Sequence, residues 1–461
     1  MSELQDRTTE QVEARANRDW WRDELRPLVA RIHFYVGIFI APFIAVAAFT
    51  GLLYAFTPQI EQIVYRDTVQ VEPSGEALPL AQQVSAAIDE VPDGTLAAVR
   101  PASELGAVTR ISFDSPSAPE DRQLTAFVDP YSGAVLDVLP TYGEWLPVRT
   151  WFDDLHRNLH LGDVGRVYSE LAASWLWVLG LSGLALWTVR RVRRRQLRQL
   201  VIPQRGARGR GRLMGRHGAL GVWLLLGMLF LSATGLTWSQ FAGCNVSAIR
   251  AQLDWTTPSV TAGSTATVPA ADVPEAVEVV TASAIEAGLE GPIEVVPGTD
   301  GAAWTASEVT RSLPLQQDSI SVDPVSGEVT DRVNFDDWPL AAKLAEWGIS
   351  LHMGLLFGLA NQILLGLIAI GLIAMVVLGY RMWWRRRPTS PAAYARPLGG
   401  AKQPSARAVF VVALIGIAVG ILMPVLGASL LIFLAADTAL QAWRFHRAPA
   451  RQSAARETLA S

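Results

Sequence analysis

The sequence has little cysteine and little charge. Its single cysteine, Cys244, excludes an intramolecular disulfide framework and a Cys-x-x-Cys metal or redox site. Charged residues make up 18% of the chain, below the roughly 25% typical of soluble domains. No Gly-x-Gly-x-x-Gly motif follows a predicted strand, so no dinucleotide site is predicted, and neither is a nucleic-acid partner. What the sequence does have is apolar residues, which make up half of it and indicate an integral membrane protein.

The apolar residues are concentrated in long runs. Four runs of helix-spanning length begin near Ile32, Leu171, Leu220 and Leu351, and a fifth apolar stretch covers 408–436. In lipid every backbone amide needs an internal partner, so these runs are predicted to be helices. Pro424 and Gly427 interrupt the last stretch, and we expect it to form a hairpin of two short helices, with a single span as the alternative.

The charges beside the spans predict their orientation. The loop from Arg190 to Arg216 contains eleven arginines and no acid, and residues 381–402 contain six basic residues and no acid. Short basic loops mark the cytoplasmic side. The two long connections are acidic, with 17 acids against 6 bases in 57–165 and 16 against 4 in 240–346. We therefore expect a membrane protein with a cytoplasmic N-terminus, an uncleaved first span and both long segments outside.

The predicted fold class is a membrane α-helical bundle with two external α+β domains, built by tandem duplication. The predicted segments are a cytoplasmic lead-in (1–27), TM1 (28–56), external domain 1 (57–165), TM2 (166–190), a basic cytoplasmic loop (191–213), TM3 (214–239), external domain 2 (240–348), TM4 (349–384), a cytoplasmic loop (385–406), the C-terminal hairpin or TM5 (407–443) and a tail (444–461).

The external segments repeat a helix followed by short β-rich runs. Helices are predicted at 81–88 and 275–287, and each segment ends on a Val-Asp-Pro-x-Ser-Gly sequence, at 128–133 and 322–327. Proline fixes φ and glycine tolerates positive φ, so both sequences predict hairpin turns. No catalytic set of residues is recognisable in either segment.

Histidines and glycines recur at matched offsets along the chain. Gly37 and a Thr-Gly-Leu sequence follow His33 at the same offsets as Gly221 and another Thr-Gly-Leu follow His217. The sequence Leu-His-x-x-Leu-x-x-Gly occurs at His156 and again at His352. From each of these histidines a glycine lies 27 residues on and a tryptophan 31 residues on. A parallel duplication explains these matches.

The duplication predicts two facing pairs of histidines. His33 and His217 begin spans near the cytoplasmic face, whereas His156 and His352 precede spans near the external face. Paired imidazoles in a helical bundle are what a six-coordinate haem requires, and Gly37 and Gly221, one turn after a histidine, leave room for a flat ring. A divalent metal ion completed by Asp153 or Asp154 and a purely structural role stay open.

Several neighbouring residues add alternatives. His160 lies four residues after His156 and is an alternative external ligand if that stretch is helical, although its repeat equivalent is Leu356. Arg31, Arg216 and Arg157 neighbour the predicted ligands and are candidate partners for haem propionates. His446 is interpreted as a solvated residue of the basic tail.

These features together resemble the PepSY-associated transmembrane family of bacterial inner-membrane proteins. The resemblance rests on the two Val-Asp-Pro-x-Ser-Gly turns, LHRNLHLG with ELAASWLWVLGLSGLALW, the helix starts at His33 and His217, LHMGLLFG and PVLGASLLIFLAAD, and covers the chain beyond residue 27. It implies PepSY-like external domains. It also implies two haem b groups, one bound by His33 with His217 and the other by His156 with His352.

Some members of this family resemble di-haem reductases that release iron from ferric siderophores. The resemblance therefore implies a haem-dependent ferric siderophore reductase, an oxidoreductase embedded in membrane lipid. Its electron donor would be a quinol or a reductase protein. A haem-free binding or regulatory protein, acting on a peptidase or a chelate, is the alternative. A transporter is a third possibility, against which the apolar runs argue because they contain no charged residues.

Overall fold

The computed structural model describes residues 25–440 except 194, 262, 264, 266 and 386–405. The chain forms two compact units. One, the sheet unit, comprises Thr50–Leu159 and Arg250–Leu367, and the other, the helical unit, comprises the remaining residues. The predicted lead-in, most of the loop at 385–406 and the tail with His446 lie outside the described residues.

The helices and strands follow the predicted repeat. The helices are α1 (Arg26–Phe39), α2 (Ala41–Ala55), α3 (Thr57–Val64), α4 (Arg66–Val69), α5 (Leu80–Glu90), α6 (Pro147–Asn158), α7 (Gly162–Arg193), α8 (Gly209–Thr237), α9 (Phe241–Gln252), α10 (Val273–Glu286), α11 (Leu340–His352), α12 (Leu359–Trp384), α13 (Ala406–Leu422) and α14 (Pro424–Leu440). The strands are β1 (Thr95–Arg100), β2 (Thr109–Asp114), β3 (Gln123–Val128), β4 (Val135–Thr141), β5 (Ile293–Val296), β6 (Trp304–Glu308), β7 (Ser319–Val322) and β8 (Val329–Val333).

Within the described part of the chain, α7, α8 and α12 are long and apolar enough to cross a membrane, and α1 with α2 makes a fourth span. The first span was predicted as one helix, but it bends by 55° between α1 and α2. Pro42 accounts for the bend because it has no N–H for the Ile38 carbonyl one turn earlier. The Tyr380 hydroxyl instead donates to that carbonyl at 2.5 Å.

The predicted start of the fourth span was wrong. The segment 349–384 is not one helix, because α11 ends at His352 and α12 begins only at Leu359. Gly354 and Gly358, in the connection between α11 and α12, both have positive φ. This conformation is not helical, so it separates the two helices. His352 therefore lies outside the span, at the end of its own helix.

The C-terminal stretch forms the predicted hairpin. Helices α13 and α14 meet at Met423, just before Pro424. A Cβ on Gly427 would lie 2.4 Å from the Cα of Gly420. This close approach of two glycines shows that the helices fold back on each other. Leu426 and Leu434 of the hairpin pack against α1 and against Trp175 of α7.

Charged residues that flank the apolar runs are buried in the helical unit. Arg31 on α1 is 1% exposed and pairs with Asp437 on α14 at 3.2 Å. Glu170 on α7 is fully buried and accepts hydrogen bonds from the backbone N–H groups of Phe241 and Ala242 at 2.8 and 3.1 Å. The first contact joins the C-terminal hairpin to α1 and the second caps α9, so both have structural explanations.

The sheet unit corrects the prediction of two separate external domains. All eight strands form one antiparallel sheet in the order β4-β3-β2-β1-β5-β6-β7-β8, in which Val99 of β1 pairs with Val295 of β5. Helices α5 and α10 cover one face and share a single core with both halves of the sheet. Pairing β1 with β5 removes an exposed edge from each half, which explains why the halves join.

Both predicted hairpin turns are confirmed. In the β3–β4 turn, Asp129 accepts a hydrogen bond from the Tyr131 N–H at 2.9 Å, and Gly133 has a φ of +73°. In the β7–β8 turn, Asp323 accepts hydrogen bonds from the backbone N–H groups of Ser326 and Val325, and these bonds lower its pKa. Gly327 there has a φ of +75°. The matched turns show the duplication in three dimensions.

Candidate functional site

The helical unit brings His33 and His217 together. His33 lies on α1 and His217 on α8, and the centroids of their rings are 6.4 Å apart with the planes at 81°. We call them the first histidine pair. An imidazole nitrogen binds a transition metal at about 2 Å and lies about 1 Å from its own ring centre, so a metal held between two imidazoles separates the centroids by about 6 Å. The observed separation matches that spacing.

Helix α7 fixes the ring of His33. Its Nδ1 lies 3.0 Å from Ser182 Oγ, and the Ser182 hydroxyl in turn donates to the Leu179 carbonyl at 3.2 Å. With its own hydrogen committed, the serine oxygen is an acceptor for Nδ1–H, which places the lone pair of His33 on Nε2. A Cβ on Gly183 would come within 2.9 Å of His33 Cε1, so this position needs glycine for the ring to fit.

Helix α12 fixes the ring of His217 in a corresponding way. The Nδ1 of His217 lies 3.1 Å from the carbonyl oxygen of Met375. A carbonyl only accepts, so Nδ1 carries the hydrogen and Nε2 carries the lone pair that a metal needs. Gly379 lies beside this ring, since a Cβ there would be 3.9 Å from His217 Cε1. Gly183 and Gly379 are the repeat glycines found in the sequence, and the structure places each against a histidine of the first pair.

The glycines predicted to make room for a flat ring differ from each other. A Cβ on Gly37 would meet nothing within 4 Å, so the space beside it is open. A Cβ on Gly221 would meet the Met375 methyl group at 3.2 Å. The two positions therefore differ, since at Gly221 the flexible end of a methionine lies beside the glycine.

The sheet unit contains the second histidine pair, His156 at the end of α6 and His352 at the end of α11. Burial and, as the smaller cause, the nearby charge of His156 lower the pKa of His352 to about 3. Both effects favour the neutral imidazole, the form that binds metals. The two histidines therefore influence each other electrostatically, as a facing pair requires.

Three residues of α2 surround His156. Thr50 Oγ1 lies 3.0 Å from its Nδ1, and a Cβ on Gly51 would be 3.0 Å from its Cε1. The ring of Tyr54 stacks on it with centroids 6.5 Å apart and planes at 20°. Thr50 and Gly51 belong to the repeated Thr-Gly-Leu sequence. This repeated sequence therefore also contacts a histidine, here His156.

His160 does not occupy the position that the alternative assignment required. Helix α6 ends at Asn158, and both Leu159 and His160 have a φ of 55°. The chain therefore leaves the helix before His160, which is exposed and not one helical turn beyond His156. The repeat symmetry, which favours His156, agrees with this geometry.

The arginines suggested as propionate partners have other surroundings. Arg31 is paired with Asp437, and Arg157 lies 3.8 Å from Asp153 and 3.7 Å from Asp154. Arg216 is exposed. Arg149, a buried arginine on the same helix as His156, is not among the arginines that the sequence pattern suggested. Arg149 lies seven residues before His156, a spacing that places both on the same face of a helix, two turns apart. This spacing is the sequence signal that points to Arg149.

The donor set fits a haem better than a divalent metal ion. Among the residues that the structure describes, no three His, Cys, Asp or Glu side chains come together to hold an ion. The imidazoles instead come in twos, with Nδ1 held by a hydroxyl or a carbonyl at His33, His217 and His156. Two imidazoles would be sufficient to hold a haem, because the macrocycle binds the iron as well.

The fold and these histidines define a class of protein: a multi-pass membrane protein with duplicated helices and a joined eight-stranded sheet. Residues 30–386 match the PepSY-associated TM region. Since the match covers well over half of the 461 residues, the chain belongs to this family, as its motifs predicted. No curated protein matches the chain.

Proposed function

We propose that this protein is a membrane electron conduit that reduces a ferric complex, of the siderophore class, outside the bacterial inner membrane. The observation that carries the proposal is the first histidine pair, with its 6.4 Å centroid separation and its Nδ1 atoms held by acceptors. His33 and His217 would hold one haem b, and His156 and His352 the other. A haem bound at each pair would supply one-electron redox chemistry.

The chain's own residues have defined tasks in this proposal. Ser182 and the Met375 carbonyl orient the first pair, and Thr50 and Tyr54 position His156. Such partners fix the ring and raise the basicity of the ligating nitrogen, and so tune the potential of the iron. The basic loops support a cytoplasmic N-terminus and an external sheet unit, where the ferric complex would bind.

The redox change accounts for iron release. Each Fe(III) takes one electron and becomes Fe(II), and one quinol that supplies two electrons releases two protons as it is oxidised. Hard oxygen ligands bind Fe(III) far more tightly than Fe(II), because the higher charge is lost on reduction. The reduced metal therefore dissociates while the chelator is recovered unchanged.

Vesicles loaded with dithionite test the conduit without knowledge of its natural donor. Haem-loaded protein is reconstituted into vesicles with dithionite inside and a membrane-impermeant ferric hydroxamate outside, and Fe(II) is trapped externally as a coloured complex. We expect Fe(II) to form in the protein-containing vesicles at a rate at least ten times that of protein-free vesicles. His33→Ala should lose most of this rate, and His160→Ala should keep it.

Equal rates in vesicles with and without the haem-loaded protein would contradict the conduit. The sheet unit would then be better interpreted as a binding or regulatory module. Repeating the assay with quinol in the bilayer and no dithionite distinguishes a quinol donor from a reductase protein.

A further inference from the structure

Arg149 is a buried cation close to the second histidine pair. It lies on α6, seven residues before His156, which places both side chains on the same face of the helix about 10 Å apart along its axis. Its side chain is buried, with 7% of the residue exposed. Burying a guanidinium is costly unless its donors are satisfied, so each of its contacts matters.

Two aromatic rings and one hydroxyl group contact the guanidinium of Arg149. Its central carbon lies 5.1 Å from the centroid of the Trp145 ring and 5.5 Å from that of Tyr54. Nε is 3.4 Å from the Tyr54 hydroxyl. Tyr54 also stacks on His156, so Arg149 and the histidine contact the same aromatic ring. The two rings hold the plane of the guanidinium in one orientation.

The outer nitrogen Nη2 of Arg149 is buried and has no hydrogen-bond partner among the described residues. The neighbouring acid Glu61 does not bond to it. Glu61 on α3 accepts a hydrogen bond from the Arg149 backbone, its Oε1 is itself without a partner, and burial raises its pKa to about 7. The raised pKa of Glu61 weakens the compensating charge that it offers to Arg149 near neutral pH.

We propose that Arg149 binds a propionate of the haem held by His156 and His352. The proposal rests on the proposed function. A planar guanidinium matches a carboxylate, and an acceptor on Nη2 would satisfy the buried donor. Propionates project from one edge of the macrocycle, away from the iron, and two helical turns separate Arg149 from the ligand by a comparable distance. A carboxylate of the ferric complex itself has the same chemistry, and the test distinguishes the two sources.

The test is a potentiometric titration of the purified di-haem protein with no ferric complex present. Removing a cation from beside a propionate favours the more positive ferric state, so Arg149→Gln should lower the equilibrium constant for reduction of one haem at least tenfold, or about 59 mV for one electron. The haem that shifts should be the one absent from His352→Ala. Arg149→Lys keeps the charge without the planar fork and should shift the same haem by less.

Arg157→Gln is the matched control, since Arg157 lies one residue after His156 but close to Asp153 and Asp154. It should leave both potentials unchanged. Two haems of unchanged potential in Arg149→Gln would overturn the inference and leave the conduit intact. If that variant also bound a ferric carboxylate complex more weakly, the carboxylate would belong to the external ligand. Wild-type protein that binds no haem would instead overturn the proposed function.

Discussion

His33→Ala and His352→Ala are each expected to lower the haem content of the purified protein from two per chain to one. Each variant removes one axial ligand from a different histidine pair. Without one of the two imidazoles that would hold it, a haem should bind more weakly and dissociate during purification. The ratio is measured by pyridine haemochrome assay against protein concentration. The double variant should contain no haem.

His160→Ala is the matched control for this experiment. It removes an imidazole four residues after His156, at an exposed position beyond the end of α6. Both haems should remain. Loss of a haem from His160→Ala, with retention in His352→Ala, would contradict the ligand assignment in the sheet unit. Loss of both haems from either single variant would point to unfolding, which gel filtration of the same samples would reveal.

The second large effect is expected at Glu144, which joins the two repeats of the sheet unit. Its carboxylate accepts hydrogen bonds from Arg100 at 3.0 Å and from Arg311 at 2.7 Å, and these arginines also pair with Glu294 and Glu346. Glu144→Gln leaves two partly buried arginines without their shared carboxylate. We expect a loss of about 3 kcal/mol in the free energy of unfolding, seen as a lower midpoint temperature in detergent.

The effect of Glu144→Gln should depend on pH in a defined direction. Burial alone would raise the pKa of Glu144, but Arg311 and Arg100 outweigh it and lower the pKa to about 2. A carboxyl group whose pKa is depressed on folding stabilises the protein at pH values above the pKa of the unfolded state. This contribution is lost as the pH falls towards the folded-state pKa of about 2. The difference in midpoint temperature between Glu144→Gln and wild type should therefore be largest at pH 7 and smaller at pH 3.

Glu328→Gln, in the exposed β7–β8 turn, is the control for this comparison. Its midpoint temperature should stay within a degree or two of wild type at both pH values. An equal loss in the Glu144 and Glu328 variants, or a Glu144 effect that grows on acidification, would contradict the role of the Arg100–Glu144–Arg311 network.

The sequence predicted those parts of the structure that depend on local patterns. The turns at Asp129 and Asp323, the interruption at Pro424 and the spacing of the repeated histidines each have a local chemical cause, and the structure has all three. The contact of His33 with His217 followed from the symmetry of the repeat. The bend in the first span also has a local signal, because Pro42 lacks the N–H that an unbroken helix would use.

Other features depend on packing between distant segments and carry no local signal. Nothing in β1 or β5 marks them as partners, because edge pairing requires only backbone donors and acceptors. The contacts of His33 with Ser182 and of His217 with the Met375 carbonyl depend on how the helices pack. Burial of Arg31 likewise required Asp437 from a helix about 400 residues away in sequence.

A reduced-minus-oxidised visible spectrum of the wild-type protein, purified after expression with ample haem, tests the central claim most directly. The account predicts the α and Soret bands of a six-coordinate b-type haem, with two haems per chain by pyridine haemochrome assay. A folded protein with a flat difference spectrum would contradict it, and would leave the paired histidines with a structural role in a binding or regulatory membrane protein.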